Sequence, residues 1–157
     1  EMKELKSAIL ESDLTKLNLL LSQNKVSGLN DKKVKELISL SKEKGVVKIE
    51  TTLLLKYKTE LNSYSKKDKE KIIISLIEEL SEDIYYSGWN DGIEKELWNW
   101  GNGISEPNEV FAKRVVVSDA KLAVNFGNEI GLWAEWNDKQ NKPKVITLEK
   151  WIEKTND

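Results

Sequence analysis

Apolar residues in the first third of the chain recur every three or four positions, which is typical of amphipathic helices. They predict two short helices within residues 3–23, the second of them capped by Asp13. The turn sequence SGLND precedes a third helix, which Asn30 or Asp31 can cap and which Gly45 should end. The segment VVKIETTLLLKY predicts a fourth helix, so we expect this region to form helical hairpins.

The second half of the chain combines helical spacing with one clear alternation. Residues 66–86 and 89–100 each carry an apolar stripe on one helical face, and Ser118 is a candidate N-cap for a further helix. The segment LWAEWN alternates as a strand does, and KVIT follows it after a turn. We therefore predict an α+β fold that is mainly α, with helical hairpins followed by a helical lobe and a C-terminal antiparallel β-hairpin at about 132–147.

Residues 7–24 and 40–57 match each other at an offset of 33 residues, which pairs Ser12 with Gly45. A 33-residue period of paired helices is typical of ankyrin repeats, and the two segments resemble the helix pair of that family. The turn that opens an ankyrin repeat is missing, and Ser12 stands where glycine is usual. A degenerate ankyrin-like or other α-solenoid arrangement fits this pattern, and so does a plain antiparallel helix bundle.

The polar segment NSYSKKDKEK marks a junction between two regions. We predict a helical-repeat-like lobe at 1–62 and an acidic, Trp-rich α+β lobe at 63–157, or else one continuous domain with a shared core. Two repeats alone are too few to be stable, so the first lobe should depend on the rest of the chain. The expected core side chains of the second lobe include Trp89, Leu97, Trp136 and Trp151.

Charge is distributed unevenly between the two halves. Residues 1–71 hold 16 Lys against 11 acids, a net charge of +5, while residues 72–157 hold 9 basic residues against 16 acids, a net charge of −7. Seven of these acids lie within residues 78–96, where Lys95 is the only basic residue. The pattern predicts an acidic patch that attracts a basic partner, although the same acids could form ordinary solvated helix faces.

The amino-acid composition excludes several kinds of catalysis. The chain has no His and no Cys, so neither a Ser-His-Asp nor a Cys-His site can be built from it alone. Its only Arg is Arg114, and the net charge of −2 disfavours direct nucleic-acid binding. We therefore expect a protein that is not an enzyme and that binds no metal and no cofactor. A hydrolase that uses two carboxylates is the catalytic alternative.

One aromatic residue stands apart from the predicted core. On a helical projection of residues 89–100, Trp98 lies about 180° from the apolar stripe, and Asp91 and Glu94 flank it. Because an aromatic side chain among carboxylates is a typical hot spot for binding a basic partner, we predict a partner-binding surface. Its residues are Trp98, Asp91, Glu94, Glu82 and Asp83. The competing interpretation is that the C-terminal hairpin covers Trp98.

The order of short Trp-containing motifs in the second half resembles that of a known class of proteins. These motifs are GW…GIE…LW at 88–98, GLWAEWND at 131–138 and VITLEKWIE at 145–153. Over roughly residues 84–155 they are similar to small bacterial immunity proteins that are found beside polymorphic toxins. The resemblance implies a protein that acts by covering the active site of a toxin, and it carries over no catalytic residues.

Composition, charge and resemblance together favour an inhibitory binding protein. We expect an immunity protein that neutralises a basic toxin or nuclease through its acidic and aromatic surface. A phage-encoded inhibitor of a CRISPR effector nuclease and a general helical-repeat adaptor are the alternatives. No apolar run is long enough to span a membrane and the N-terminus lacks a signal-peptide pattern, so we expect the protein to be cytoplasmic and not membrane-bound.

Overall fold

The structure, a computed structural model, divides the chain into two compact units, Glu1–Ser65 and Lys66–Asp157. This division lies three residues beyond the predicted lobe boundary. Helices dominate both units, and the only sheet in the described part of the chain is a two-stranded antiparallel hairpin near the C-terminus. The predicted α+β, mainly α class is therefore confirmed. The described residues are 2–23, 29–81, 93–106, 117–137, 140 and 142–155.

The first unit consists of short helices arranged as stacked hairpins. Helix α1 packs against both α2 and α3, and α4 packs against both α2 and α3. Like helices of successive hairpins are therefore neighbours, as the 33-residue offset predicts for a repeat. The bounds are α1 Met2–Leu10, α2 Leu14–Ser22, α3 Asp31–Lys44, α4 Val47–Lys56 and α5 Lys58–Asn62.

Local capping explains where these helices begin and end. The carboxylate of Asp13 accepts a hydrogen bond of 3.0 Å from the backbone N–H of Lys16, which caps α2 as predicted. Of the two candidates for α3, Asn30 is the cap, since its side chain accepts from the N–H of Lys33 at 3.0 Å. Gly45 ends α3 with a left-handed φ of 72°.

Ser12 repeats the geometry of Gly45 without being a glycine. Its φ of 54° is left-handed, and it is the only non-glycine residue with positive φ in the described part of the chain. The N–H groups of Ser12 and Asp13 close the end of α1 onto the carbonyls of Ile9 and Ala8, at 3.0 and 2.9 Å. This is a Schellman motif. Ser12 and Gly45, 33 residues apart, thus both end a helix with a left-handed backbone, although at Gly45 its own N–H bonds to the carbonyls of both Lys42 and Ser41.

The core of the first unit is aliphatic and follows the same offset. Ala8 and Ser41 are equivalent positions and both are fully buried. Ser41 is tolerated there because its hydroxyl donates to the carbonyl of Ile38 at 2.6 Å. The remaining core side chains are Leu5, Ile9, Leu17, Leu20, Leu21, Val34, Leu37, Ile38, Ile49, Leu53, Leu54 and Leu61.

In the described residues of the second unit, four helices pack around the hairpin. Helix α6 contacts α7, α8 and both strands. Helix α9, which follows β2 directly, also packs against both strands. Residues 82–86 and 89–92 of the two predicted helices lie outside the described residues, and Ser118 lies in the first turn of its helix rather than at the N-cap. The bounds are α6 Lys66–Ser81, α7 Ile93–Gly101, α8 Val117–Ile130, β1 Leu132–Asn137, β2 Lys142–Thr147 and α9 Leu148–Thr155.

The predicted hairpin is confirmed, and both of its faces are covered where β1 begins. The strands pair from Leu132 opposite Thr147 to Asn137 opposite Lys142. Successive side chains of a strand point to opposite faces, yet Leu132, Trp133 and Ala134 are all buried. Alternation in the sequence therefore marks the strand correctly but does not identify a single inward face.

Candidate partner-binding surface

Three tryptophans from three different elements meet at the centre of the second unit. Trp98 comes from α7, Trp133 from β1 and Trp151 from α9. The ring centroid of Trp98 lies 5.1 Å from that of Trp133 and 6.3 Å from that of Trp151, both in edge-to-face arrangements. Trp133 and Trp151 are 6.2 Å apart. Each ring pair contributes roughly 0.5–1.5 kcal/mol beyond area burial, so this Trp cluster ties the three elements together.

Two helical glycines allow the elements around this cluster to pack closely against one another. A side chain at Gly127 of α8 would place its Cβ 2.8 Å from the carbonyl oxygen of Leu132 and 3.1 Å from Cε3 of Trp133. A side chain at Gly101 would collide with Val124 and with the carbonyl of Ala120 on α8. Close approach of backbones is a characteristic use of glycine. Both glycines therefore serve packing of α7, α8 and the hairpin.

The prediction that Trp98 lies on an exposed face is wrong. Trp98 is only 8% exposed, while Leu97 and Trp100 are 0% and 2% exposed. The helical projection placed Trp98 opposite the apolar stripe, but it could not show that the hairpin and α9 cover that side. The competing interpretation, in which the C-terminal hairpin covers Trp98, is the one that the structure supports.

The other predicted site residues divide between buried and undescribed positions. Glu94, one turn before Trp98 on α7, is only 9% exposed, so it also does not form an open acidic surface. Asp91, Glu82 and Asp83 lie outside the described residues. The structure thus places two of the five residues on the same helix, but in the interior rather than at a contact surface.

The remaining core predictions have mixed outcomes. The expected burial of Leu97 and Trp151 is confirmed, at 0% and 3% exposure. Trp136 is half-buried, because only residues 132–134 at the start of β1 are covered on both faces and Trp136 lies in the second half of the strand. Trp89 lies outside the described residues.

Packing rather than hydrogen bonding holds the Trp cluster. The indole N–H groups of Trp133 and Trp151 are buried and have no acceptor among the described residues. A buried donor left without an acceptor costs about 1–3 kcal/mol, which the burial of two indole rings has to offset. The cluster is therefore a structural support for the surface around it.

The most exposed large apolar side chain among the described residues belongs to Ile104, directly after α7. It is 67% exposed. The N–H of Ile104 donates to the carbonyl of Asn99 at 2.8 Å, and that of Gly103 to the carbonyl of Trp100 at 3.2 Å. With Gly103 at a φ of 73°, these bonds form a Schellman motif.

An apolar residue at the position of Ile104 in this motif often packs back against its own helix. Here the corresponding helical residue is Asn99, and Ile104 projects into solvent. The GNGIS sequence carried a signal for this arrangement, since glycine followed by an apolar residue is typical of such a helix end.

Further exposed residues lie near Ile104 in sequence or within one helical turn of the contact between α7 and α8. Gly101 contacts Ala120, Ile104 follows Gly101 by three residues, and Val117 precedes Ala120 by three. Val117 is 37% exposed and Glu106 is exposed. We refer to Ile104, Glu106 and Val117 as the Ile104 surface. It combines two apolar side chains with a carboxylate, which is the chemistry that we had expected around Trp98.

These observations define a mainly helical α+β protein of two compact units, with a tryptophan-centred second unit. No protein-family model, no curated protein and no solved structure matches the chain. In the part of the chain that the structure describes, no helix is long and apolar enough to cross a membrane. No cluster of three or more His, Cys, Asp or Glu suited to a metal ion is present among those same residues.

Proposed function

We propose that this chain is a non-catalytic inhibitory binding protein. In its specific form, the proposal is a cytoplasmic immunity protein that neutralises a basic bacterial toxin by covering the active site of that toxin. The resemblance of the Trp motifs to immunity proteins supports this class. The net charge of −7 over residues 72–157 supports a basic partner.

The observation that carries the proposal is the presentation of Ile104. An apolar side chain that is 67% exposed gains little from folding, yet two hydrogen bonds, donated by the N–H groups of Gly103 and Ile104, fix the backbone that carries it. A backbone segment that is ordered before binding loses less conformational entropy in the complex. Ile104 therefore fits the role of a central anchor that inserts into an apolar depression on the partner.

Charge and apolar contact would have different roles in this complex. Acids around the anchor, such as Glu106, increase the rate of encounter with a basic partner, and salt reduces that effect. The anchor itself becomes desolvated only in the complex, so it mainly controls the dissociation rate. The Trp cluster contributes indirectly, because it fixes α7 and thereby the position of Ile104.

The proposal can be tested by co-expression with the product of the gene immediately upstream. The parent chain should restore growth to cells that make this product and should co-purify with it. Ile104→Asp should abolish both effects, because it places a charge at the centre of the contact. Leu19→Asp is the matched control, since Leu19 is 59% exposed and belongs to the first unit.

The outcomes distinguish the proposal from its main alternative. Equal protection by the Ile104→Asp and parent chains would contradict the assignment of the Ile104 surface. The helical-repeat adaptor is favoured by one observation, a surface groove along α1 that includes Met2 and the 52% exposed Leu10. If Leu10→Asp loses the partner and Ile104→Asp keeps it, the adaptor is the better account.

A further inference from the structure

We propose that the outer edge of β2 binds an extended, acidic segment of a partner protein by strand addition. This surface lies on the second unit, and the inference goes beyond the proposed inhibition because it involves other residues and the opposite charge. It rests on three observations about the hairpin: the direction of its backbone groups, the groove beside it, and the local excess of lysine.

The register shows which backbone groups of β2 point away from β1. The N–H of Leu148 donates to the carbonyl of Gly131 at 2.9 Å, one pair before Leu132 and Thr147. Because hydrogen-bonded and non-hydrogen-bonded pairs alternate in antiparallel sheets, Val145 and Thr147 fall in non-hydrogen-bonded pairs. Their N–H groups therefore point outward, and among the described residues no other strand pairs with β2.

Pro143 lies at a position of β2 where the backbone N–H would point away from β1. It lies opposite Trp136 in a non-hydrogen-bonded pair, so its missing N–H removes no bond from the hairpin. It does remove one outward donor. An added strand could therefore exchange backbone hydrogen bonds with Val145 and donate to Pro143, but the open part of the edge is short.

A groove lies along β2 and is lined by residues of β2 and α9 together with Glu135 of β1. Val145 and Ile146, both half-buried, are the apolar residues of its lining. On its charged border, Lys154 forms an ion pair with Glu135. A strand that adds to an open edge gains affinity from main-chain bonds and specificity from alternate side chains in such neighbouring grooves.

The charge of this region is opposite to that of the unit as a whole. From residue 142 to 155 there are four Lys and two Glu, a net charge of +2, within a half of the chain whose net charge is −7. Lys144 and Lys150 are exposed, border the groove, and have no ion pair within the described part of the chain. This local complementarity selects an acidic segment as the occupant rather than a basic one.

The test uses a short synthetic peptide that alternates glutamate and valine, with its lysine-valine counterpart as the second probe. The glutamate peptide should bind at least about tenfold more tightly than the lysine peptide. It should also slow amide hydrogen exchange at Val145 and Thr147 by about tenfold, because their N–H groups become paired. The inward amides of Lys144 and Ile146 should change much less.

Two matched pairs of variants separate the edge from the side chains. Val145→Pro removes the outward N–H and should lose the peptide, whereas Val145→Ala removes only the side chain and should keep most of the affinity. Lys150→Glu should weaken binding by about tenfold, and Lys121→Glu, an exposed site on α8, should have no effect.

Several results would overturn the inference. These are binding of the Val145→Pro and Val145→Ala variants with equal affinity, a preference for the lysine peptide, or unchanged exchange at Val145 and Thr147 with millimolar glutamate peptide. The exchange measurement uses the unmodified chain, so it decides the matter even if Val145→Pro does not fold. None of these results affects the Ile104 surface, which a different experiment tests.

Discussion

The two units of this protein are stabilised in different ways. The first unit, Glu1–Ser65, repeats a helical hairpin, buries almost only aliphatic side chains and marks its helix ends with caps. The second unit, Lys66–Asp157, brings residues 98, 133 and 151 together in one aromatic cluster. Interactions between near neighbours in sequence determine much of the first unit, and contacts between distant segments determine the centre of the second.

This difference has a practical consequence for measurement. All six tryptophans lie in residues 72–157, so tryptophan fluorescence reports on the second unit alone. Far-ultraviolet circular dichroism reports on the helices of both units. Comparing the two signals during urea unfolding shows which unit a substitution affects.

The largest effect is expected from Trp133→Ala in the second unit. Trp133 is fully buried and contacts both other rings of the Trp cluster, so its loss should reduce the free energy of unfolding by about 3–5 kcal/mol. We expect a comparable loss for Trp98→Ala, since Trp98 is also buried. The urea midpoint detected by fluorescence measures both losses. Near-parental stability of either variant would contradict the proposed contribution of the Trp cluster to stability.

Leu53→Ala is the corresponding test of the first unit. Leu53 is fully buried, and its truncation should cost about 2–5 kcal/mol. The first unit should therefore unfold at a lower urea concentration, so part of the circular dichroism signal should be lost before the fluorescence signal changes. If both signals shift together, the two units unfold as one cooperative system, and the comparison between separate units would fail.

Gly127→Ala should have a smaller effect on the second unit. The added methyl group would lie 2.8 Å from the carbonyl of Leu132, so α8 and β1 would have to separate. Overpacking of this kind costs about 1–3 kcal/mol. A fluorescence midpoint equal to that of the parent would show that α8 can move without penalty. Gly131→Ala is not a suitable control, because Gly131 has a φ of 73°.

Exchanging the residues at the two corresponding helix ends tests the repeat in the first unit. Ser12→Gly should stabilise by up to about 1 kcal/mol, and Gly45→Ser should destabilise by about 1 kcal/mol, because left-handed φ is unfavourable for residues with a Cβ. Urea unfolding followed by circular dichroism measures both. Changes of the same sign would contradict the equivalence of Ser12 and Gly45.

The smallest effect concerns Tyr57 at alkaline pH. Burial raises the pKa of the Tyr57 hydroxyl above its ordinary value, and this hydroxyl has no hydrogen-bond partner within the described part of the chain. The folded state therefore holds this proton more tightly than the unfolded state. The resulting contribution to stability is complete below about pH 10 and is lost as pH rises through the folded-state pKa.

Tyr57→Phe removes that contribution together with the buried hydroxyl. The variant should be as stable as the parent or slightly more stable at neutral pH, and its stability should fall less between neutral pH and pH values above 10. Urea midpoints across this range make the comparison. A steeper alkaline loss in the variant than in the parent would contradict the burial of this hydroxyl.

More of the first unit than of the second could be predicted from the sequence, because local interactions determine much of the first unit and contacts between distant segments determine the centre of the second. The caps at Asp13 and Asn30 and the stop at Gly45 act within one helical turn, so the local sequence reveals them. The burial of Trp98 could not be predicted in this way, because the covering residues Trp133 and Trp151 are 35 and 53 positions away.

The candidate surface was missed for a related reason. The carboxylates near Trp98 directed attention to α7 itself, whereas the exposed apolar residue, Ile104, follows the helix. Its exposure depends on the Schellman bonds that Gly103 allows and on Asn99 occupying the position where an apolar partner would bury it. Reading the GNGIS segment as a helix end would have identified the turn, but not the direction of the side chain.

The central claim is that a rigid Trp-centred unit presents Ile104 to a basic partner. Its most direct test is binding kinetics with the product of the gene immediately upstream, the proposed toxin, for the parent, Ile104→Ala and the control Leu19→Ala, at low and high salt. We predict a dissociation rate that rises roughly thirtyfold for Ile104→Ala, equivalent to about 2 kcal/mol, with an association rate that falls with salt for all three proteins. Dissociation of Ile104→Ala at the parental rate, or an equal effect of Leu19→Ala, would contradict the claim.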